Sequence, residues 1–205
     1  MKNIISKTLK PMISDILKMN RTLKLLIISD VLVFGALGFV TPILSIFIND
    51  NLIGGGIFAA GVASTIFLMT HSVLQIIFAY VFNPKDRLWM IWTGTAIIAA
   101  VPIGYIFSTK IWHLFLAEFA YGVGAAFAYP SWSSLFTSNL EKGQRGFQYS
   151  IYSSSLGIGT AITAFIGGFL AERFSFKLAF ALTSLLAIIG LFILFRLEKK
   201  VLKKI

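Results

Sequence analysis

The chain has 205 residues, of which 57% are hydrophobic and 13% are charged, about half of the roughly 25% usual in soluble domains. This composition excludes a soluble globular fold. A formal net charge of +10 would indicate nucleic-acid binding in a soluble domain, but the positions of the charges indicate a lipid bilayer instead and exclude nucleic acid as a partner. The cysteine count of zero excludes disulfides and thiolate chemistry.

Six uncharged stretches of 18 or more residues predict an all-α membrane protein with six transmembrane helices. A helix of about 20 residues crosses the roughly 30 Å hydrocarbon core and satisfies its own backbone hydrogen bonds there. We place the six helices at residues 23–47, 57–82, 88–107, 111–137, 147–170 and 177–195.

Residues 1–22 are predicted to form a basic cytoplasmic or interfacial leader before the membrane domain, residues 23–195. Apolar residues recur in the leader at near-helical spacing, with lysines between them. This pattern suits a helix lying on the inner leaflet and interrupted at Pro11, or equally a loosely ordered basic segment. A basic cytoplasmic tail, residues 196–205, follows the last span.

The basic residues are distributed unequally between the two sides of the predicted bundle. One side carries Lys2, Lys7, Lys10, Lys18, Arg21, Lys24, Lys85, Arg87, Lys142, Arg145, Arg196, Lys199, Lys200, Lys203 and Lys204. The other side carries Lys110, Arg173 and Lys177. The positive-inside rule therefore predicts a multi-pass protein of the inner, or plasma, membrane with both termini in the cytoplasm.

The first and fourth spans show signs of an internal repeat. An offset of 88 residues aligns Asp30 with Glu118, Phe39 with Phe127 and Pro42 with Pro130. Because the two spans cross the membrane in opposite directions, the pattern predicts two inverted sets of three helices, a common design in secondary transporters.

Several runs of residues resemble the amino-terminal half of the major facilitator superfamily. They are LGFVTPILSIFI at 37–48, LAEFAYGVGAAFAYPSWSSLF at 116–136, LEKGQRGFQYSIYSSSLGIG at 140–159 and FIGGFLAERFSFKLAF at 165–180. The resemblance implies that the first and fourth spans line a cavity, that the second and fifth meet the other half, and that the third and sixth face outward.

Three segments depart from the resembled pattern. The loop motif at 79–87 has Ala79 and Asn83 where the family usually has glycine and aspartate. Glu118 stands where proton-coupled antiporters often have arginine, and Thr163-Ala164 replaces the Gly-Pro of drug antiporters. The loop departure argues against the gating role that this motif has in the family, and the other two departures argue against a drug/proton antiporter.

Asp30 and Glu118 are the sharpest candidates for function, because an ionisable group inside a span is costly unless it faces a polar interior. We predict that both carry protons and contact the solute. A position of Asp30 at headgroup depth is the alternative, since it lies six residues after Lys24.

Other candidate solute ligands are His71, Gln75, Tyr121 and Trp132. His71 and Gln75 lie one turn apart on the second span, and Tyr121 shares a face with Glu118. A histidine satisfied within the core and aromatic rings facing lipid are the alternative interpretations.

Small residues give the fifth span a surface that another helix can approach closely; they include Ser154, Gly157, Ala161 and Ala164. Since members of the resembled family usually have twelve spans, we predict a parallel homodimer of two six-helix halves that transports a small polar solute such as a sugar with protons. A drug exporter, a heteromeric half and a truncated chain stay open as alternatives. No nucleophile, cofactor or metal-ligand motif is recognised, so an enzymatic role is not predicted.

Overall fold

The computed structural model describes residues 2–83 and 88–197, with side chains from residue 10 onward. Residues 84–87 of the loop motif and 198–205 of the tail lie outside the described residues. The elements are α1 (Lys2–Lys18), α2 (Arg21–Val33), a 3-10 segment (Gly35–Phe39), α3 (Leu44–Asn51), α4 (Ile57–Phe82), α5 (Leu88–Phe107), α6 (Ile111–Ser138), α7 (Arg145–Arg173) and α8 (Phe176–Leu194).

Within the described residues, six helical segments are long and apolar enough to cross a membrane. They are Arg21–Phe39, α4, α5, α6, α7 and α8. The prediction of a six-span, all-helical membrane protein is therefore confirmed. Both α4 and α5 begin and end at the predicted residues, because the glycine run 54–56 and the polar segments 83–87 and 108–110 interrupt the apolar sequence there.

The helices pack in a fixed neighbour order. α6 packs between α4 and α5, and α8 packs between α5 and α2. α7 lies against the 3-10 segment and α2. α4 and α7 therefore lie at the two ends of the order α4, α6, α5, α8, first span, α7. Few of their side chains are buried within the chain. Of the described residues, α4 buries Ala63, and α7 buries Gln148 and Gly167.

The first span is not the continuous helix predicted over residues 23–47. α2 ends at Val33, the 3-10 segment follows, and α3 begins at Leu44. Pro42 has no N–H to donate within this stretch, and glycines at 35 and 38 weaken a helix interior. The break is held from outside, because the Thr163 hydroxyl on α7 donates to the Gly35 carbonyl over 2.5 Å.

The expected interruption of the leader at Pro11 is wrong. α1 continues through this residue from Lys2 to Lys18. A proline removes one backbone donor and can kink a helix without ending it. α2 follows after a two-residue connection, in which the Asn20 side chain accepts a hydrogen bond from the backbone N–H of Thr22 and so caps α2.

Two loops are joined at the end of the bundle opposite α1. Ile53 forms an isolated β-bridge with Lys110, with hydrogen bonds of 3.0 Å from Ile53 N to Thr109 O and 3.1 Å from Ile111 N to Ile53 O. The turn after Ile53 needs glycine, because a Cβ at Gly55 would collide with the Ile48 carbonyl oxygen. The loop between the first and second spans is thereby fixed to the loop before α6.

Candidate functional site

Glu118 lies on α6 inside the bundle, where its side chain is 4% exposed. The phenol of Tyr105 on α5 donates a hydrogen bond of 2.7 Å to Glu118 Oε1. Tyr105 is itself buried. α5 and α6 also approach closely at a second point, where Gly94 and Gly124 face each other and a Cβ on Gly94 would lie 2.4 Å from Gly124 O.

A cavity of about 360 Å³ opens beside Glu118. The first span, α4, α5 and α6 all contribute to its wall. Polar lining residues are Thr41, Ser45, Ser64, Tyr105, Glu118 and Tyr121. Leu37, Val40, Leu44, Ile48, Ala60, Phe67 and Leu68 supply the apolar part. Tyr121 stacks on Phe67 with ring centroids 4.1 Å apart. Tyr121 and Glu118, which we predicted to share one face of the fourth span, both line this cavity.

Asp30 is buried on α2, with 6% of its side chain exposed. The phenol of Tyr152 on α7 donates a hydrogen bond of 2.9 Å to Asp30 Oδ2. A small pocket adjoins this carboxyl and is lined by Ser29, Asp30, Val33, Phe34, Ile91, Thr95, Ala128, Tyr129, Trp132 and Leu194. Trp132 therefore lies at the Asp30 pocket and not beside Glu118.

His71 connects the surroundings of the two carboxyl groups through aromatic contacts. Its ring stacks on Phe67 at a centroid distance of 5.8 Å and meets Tyr129 edge-on at 6.0 Å. Since Phe67 also stacks on Tyr121, four rings form a row from the Glu118 cavity to the Asp30 pocket. Among the described residues, His71 Nε2 is buried and has no hydrogen-bond partner.

The remaining predicted residues lie at the edges of the chain. Gln75 is partly buried on α4, one turn beyond His71. On α7, Ser154, Gly157 and Ala161 are exposed and Ala164 is partly buried. A Cβ built on Gly157 would meet no atom within 4 Å, so this surface of α7 is open within the described chain.

Sequence reasoning missed Tyr105 and Tyr152, the hydrogen-bond donors to the two carboxyl groups. Both occur in spans rich in aromatic residues, and which tyrosine meets an acid depends on which helices become neighbours. The signal that could have found them is general, since a buried carboxyl group needs a partner and a buried phenol usually has one.

The aligned carboxyl groups of the first and fourth spans have similar surroundings, but only the first span has a break in its helix. Asp30 and Glu118 are both buried and both accept from a phenol. α6 nevertheless continues through Pro130, whereas the first span breaks around Pro42. Residues Val123 and Ala126 of α6 align with Gly35 and Gly38, and they retain helix propensity where the glycines do not.

Six apolar spans surrounding buried carboxyl groups and a polar cavity define a multi-pass membrane protein of the transporter type. The family model described as Major Facilitator Superfamily matches residues 26–205. The chain therefore belongs to the major facilitator superfamily, whose members carry small-molecule solutes across membranes.

A relative among curated proteins is an uncharacterized MFS-type transporter of Methanocaldococcus jannaschii. It is 25% identical over 168 residues, which cover 82% of this chain and 43% of that protein. The match thus spans less than half the length of the relative.

Proposed function

We propose that this chain forms one half of a proton-coupled secondary transporter that moves a small polar solute, such as a sugar, by alternating access. The observation that carries the proposal is the cavity at Glu118, whose volume of about 360 Å³ falls in the range of small-ligand sites. Its hydroxyl and carboxyl groups can exchange hydrogen bonds with solute hydroxyls, while the ring of Tyr121 offers a flat apolar face.

The charge of the spans supports a neutral or cationic solute over an anionic one. Between Lys24 and Lys85 the sequence has no lysine or arginine, and the same holds from Lys110 to Lys142. Phosphate or carboxylate groups are usually recognised by such side chains. In this chain the charged groups available near the cavity and the Asp30 pocket are carboxyl groups.

Asp30 and Glu118 are the proposed proton carriers. Each is buried, and in the described residues each is hydrogen-bonded by a neutral phenol instead of a fixed cation. Gaining or losing a proton therefore breaks no salt bridge. Asp30 lies about 14 Å of helix rise from Arg21, and Glu118 lies about 10 Å from Ile111 at the opposite end of the bundle. One carboxyl group thus lies toward each proposed gate.

The helix pairings support the proposed inverted repeat of three plus three helices. Exchanging the first span with α6, α4 with α7, and α5 with α8 preserves the most extensive pairings, since α4–α6 becomes α7 with the first span, α5–α6 becomes α8 with the first span, and α5–α8 maps onto itself. The smaller contacts of α3 with α4 and of α7 with α8 have no such counterpart among the described residues. The positions of the basic residues support an orientation with both termini in the cytoplasm.

The uncovered surfaces of α4 and α7 support the presence of a second half. Both helices leave most of their surfaces uncovered within the described chain, including the small residues around Gly157. We propose that a second copy covers them, with α4 of one copy against α7 of the other and a twofold axis along the membrane normal. A different subunit, or a second half in a longer chain, is the competing source of these contacts.

A second candidate function is proton-driven export of lipophilic cations. The observation in its favour is the stacked pair of Tyr121 and Phe67 beside Glu118. Aromatic faces attract cations, and a nearby carboxylate strengthens that attraction.

Uptake into proteoliposomes tests the proposal and separates the two solute classes. Labelled sugars and lipophilic cations are supplied with and without an inward proton gradient. We expect saturable, gradient-driven accumulation that Asp30→Asn and Glu118→Gln abolish, while exchange of solute across the membrane continues. Asparagine and glutamine each keep a side-chain oxygen that can accept the hydrogen bond from the tyrosine. Asp50→Asn, on the exposed end of α3, is the matched control.

Two results would contradict the proposal. Unchanged accumulation in both variants would remove the proton-carrier role of these carboxyl groups. A flux that does not saturate with solute concentration would indicate a channel instead of a carrier.

A further inference from the structure

α1 has apolar side chains that the rest of the chain does not cover. Met12, Ile13 and Leu17 are 36%, 50% and 69% exposed. Ile13 and Leu17 lie four residues apart and therefore on one face of the helix. Ile16 instead packs against the hydrophobic cluster at the α1 end of the bundle, which includes Met19. α1 is thus attached to the bundle along one side and leaves an adjacent apolar face open.

The connection to α2 fixes the depth at which this open face lies. α1 ends at Lys18 and α2 begins at Arg21, so the two ends are at most about 11 Å apart. The ammonium group of Lys24, in the first turns of α2, also donates to the Leu17 carbonyl. Because α2 is the start of a transmembrane span, the last turns of α1 lie at the membrane surface.

Basic side chains surround this end of the bundle. Those exposed in the described residues are Lys10, Lys18, Arg21, Lys142, Arg145 and Arg196, against the acids Asp15 and Glu141. The opposite end has Lys110, Arg173 and Lys177 against Asp50 and Glu172. An excess of positive charge beside an exposed apolar face is complementary to anionic phospholipid headgroups above acyl chains.

We propose that α1 is a binding element for anionic phospholipids and lies along the bilayer surface. The side chains of Ile13 and Leu17 insert among the acyl chains, and Lys10 and Lys18 contact the headgroups. The apolar face alone would suit any bilayer, whereas the lysines make the binding depend on anionic lipid. This inference is independent of the transported solute and of the second half.

The full chain without native cysteine permits a direct test with single-cysteine variants. Ile13→Cys and Leu17→Cys carry an environment-sensitive fluorophore, and Glu141→Cys on an exposed loop at the same end is the control. Quenching by aqueous iodide and by spin-labelled acyl chains is measured in phosphatidylcholine vesicles with and without phosphatidylglycerol. We expect labels 13 and 17 to be reached by the acyl-chain quencher, and more strongly with phosphatidylglycerol present.

Charge removal gives the second arm of the test. Lys10→Gln and Lys18→Gln are each expected to lower the ratio of membrane-bound to water-exposed α1 about fivefold in anionic vesicles, from about 1 kcal/mol per lysine at such a surface. Lys177→Gln, at the opposite end, is expected to change nothing.

Three outcomes would overturn the proposal. Iodide quenching of labels 13 and 17 equal to that of label 141 in both vesicles would place α1 in water. Shielding that rises with protein concentration in detergent would indicate a second copy as the occupant. Insertion that is insensitive both to phosphatidylglycerol and to the two lysine substitutions would remove the anionic-lipid specificity.

Discussion

Tyr105 and Glu118 form a buried pair that joins α5 to α6, with the phenol donating to the carboxyl over 2.7 Å. The pair lies in the wall of the polar cavity, so the same contact both ties two spans together and positions the carboxyl group at the proposed solute site. Tyr105→Phe removes the hydrogen-bond donor and should therefore affect the fold. Glu118→Gln keeps an oxygen that can accept the bond and should therefore affect proton coupling.

Tyr105→Phe is expected to lower the free energy of unfolding by about 1–3 kcal/mol, because it leaves a buried acceptor without its donor. Proton-coupled uptake is expected to fall as well, since the Glu118 side chain is no longer held. Thermal unfolding in detergent and proteoliposome uptake measure the two effects. Tyr80→Phe, at a side chain 90% exposed, is the control for stability and should leave thermal unfolding in detergent unchanged. Unaltered stability in Tyr105→Phe would show that the pair contributes nothing to the fold.

The Tyr152–Asp30 pair is expected to be energetically coupled across the interface of α2 and α7. A double-mutant cycle of Tyr152→Phe and Asp30→Asn should give a coupling free energy of about 0.5–3 kcal/mol, as for other residues in direct contact. Pairing Tyr152→Phe with Asp50→Asn supplies a control for which additivity is expected, because Asp50 is exposed on α3. Additive effects in the first cycle would contradict the hydrogen bond.

Gly167 and Gly168 should respond in opposite directions to replacement by alanine. A Cβ at Gly167 would lie 2.5 Å from the Phe39 carbonyl oxygen, whereas one at Gly168 would meet no atom within 4 Å. Gly167→Ala is therefore expected to destabilise the fold by about 1–3 kcal/mol through overpacking of α7 on the 3-10 segment. Gly168→Ala should be neutral or gain up to about 1 kcal/mol from helix propensity. Equal thermal unfolding of the two variants would contradict this packing.

The crossing of α5 and α6 depends on Gly94 in a comparable way. A Cβ there would lie 2.4 Å from Gly124 O and 2.6 Å from Ala128 N, both backbone atoms that cannot move aside. Gly94→Ala is expected to cost about 1–3 kcal/mol through overpacking of α5 on α6, which thermal unfolding in detergent measures. Gly104→Ala is the matched control on the same helix, since its Cβ would sit at an ordinary 3.5 Å from Ala117 Cβ.

Cross-linking tests the proposed pairing of α4 with α7 between two copies. Met69 and Ile158 lie near the midpoints of these helices and are 61% and 62% exposed. A Met69→Cys, Ile158→Cys double variant is expected to form covalent dimers on oxidation in membranes. The control moves one thiol to α8, as Met69→Cys with Leu185→Cys, and should stay monomeric. Monomers in both variants, together with activity restored by a different subunit, would rule out the homodimer.

The six spans were predictable because membrane insertion depends on hydropathy summed over some 20 residues, which the uncharged stretches satisfy independently of the fold. The break in the first span was not. Gly35, Gly38 and Pro42 are each tolerated in a transmembrane helix, and the Thr163 hydroxyl that contacts the Gly35 carbonyl comes from α7, 128 positions along the chain.

The carboxyl groups of the candidate site were predictable for a related reason. Ionisable residues are rare in apolar spans, so Asp30 and Glu118 are conspicuous in the sequence. Their donors were not predictable, because Tyr152 is 122 positions from Asp30 and becomes its neighbour through helix packing. The row of four rings that includes His71 was not predictable either, because it forms only where α4 packs against α6.

The loops at the two ends of the bundle are joined by different kinds of hydrogen bond. Opposite α1, the backbone bridge of Ile53 to Lys110 resists shear between the loops with two main-chain hydrogen bonds. At the α1 end, the first span and α6 are joined by a side-chain hydrogen bond of 3.0 Å from Asn20 Nδ2 to Asn139 Oδ1. Because main-chain hydrogen bonds join the two bridged loops, we expect these loops to move together in any opening of that end.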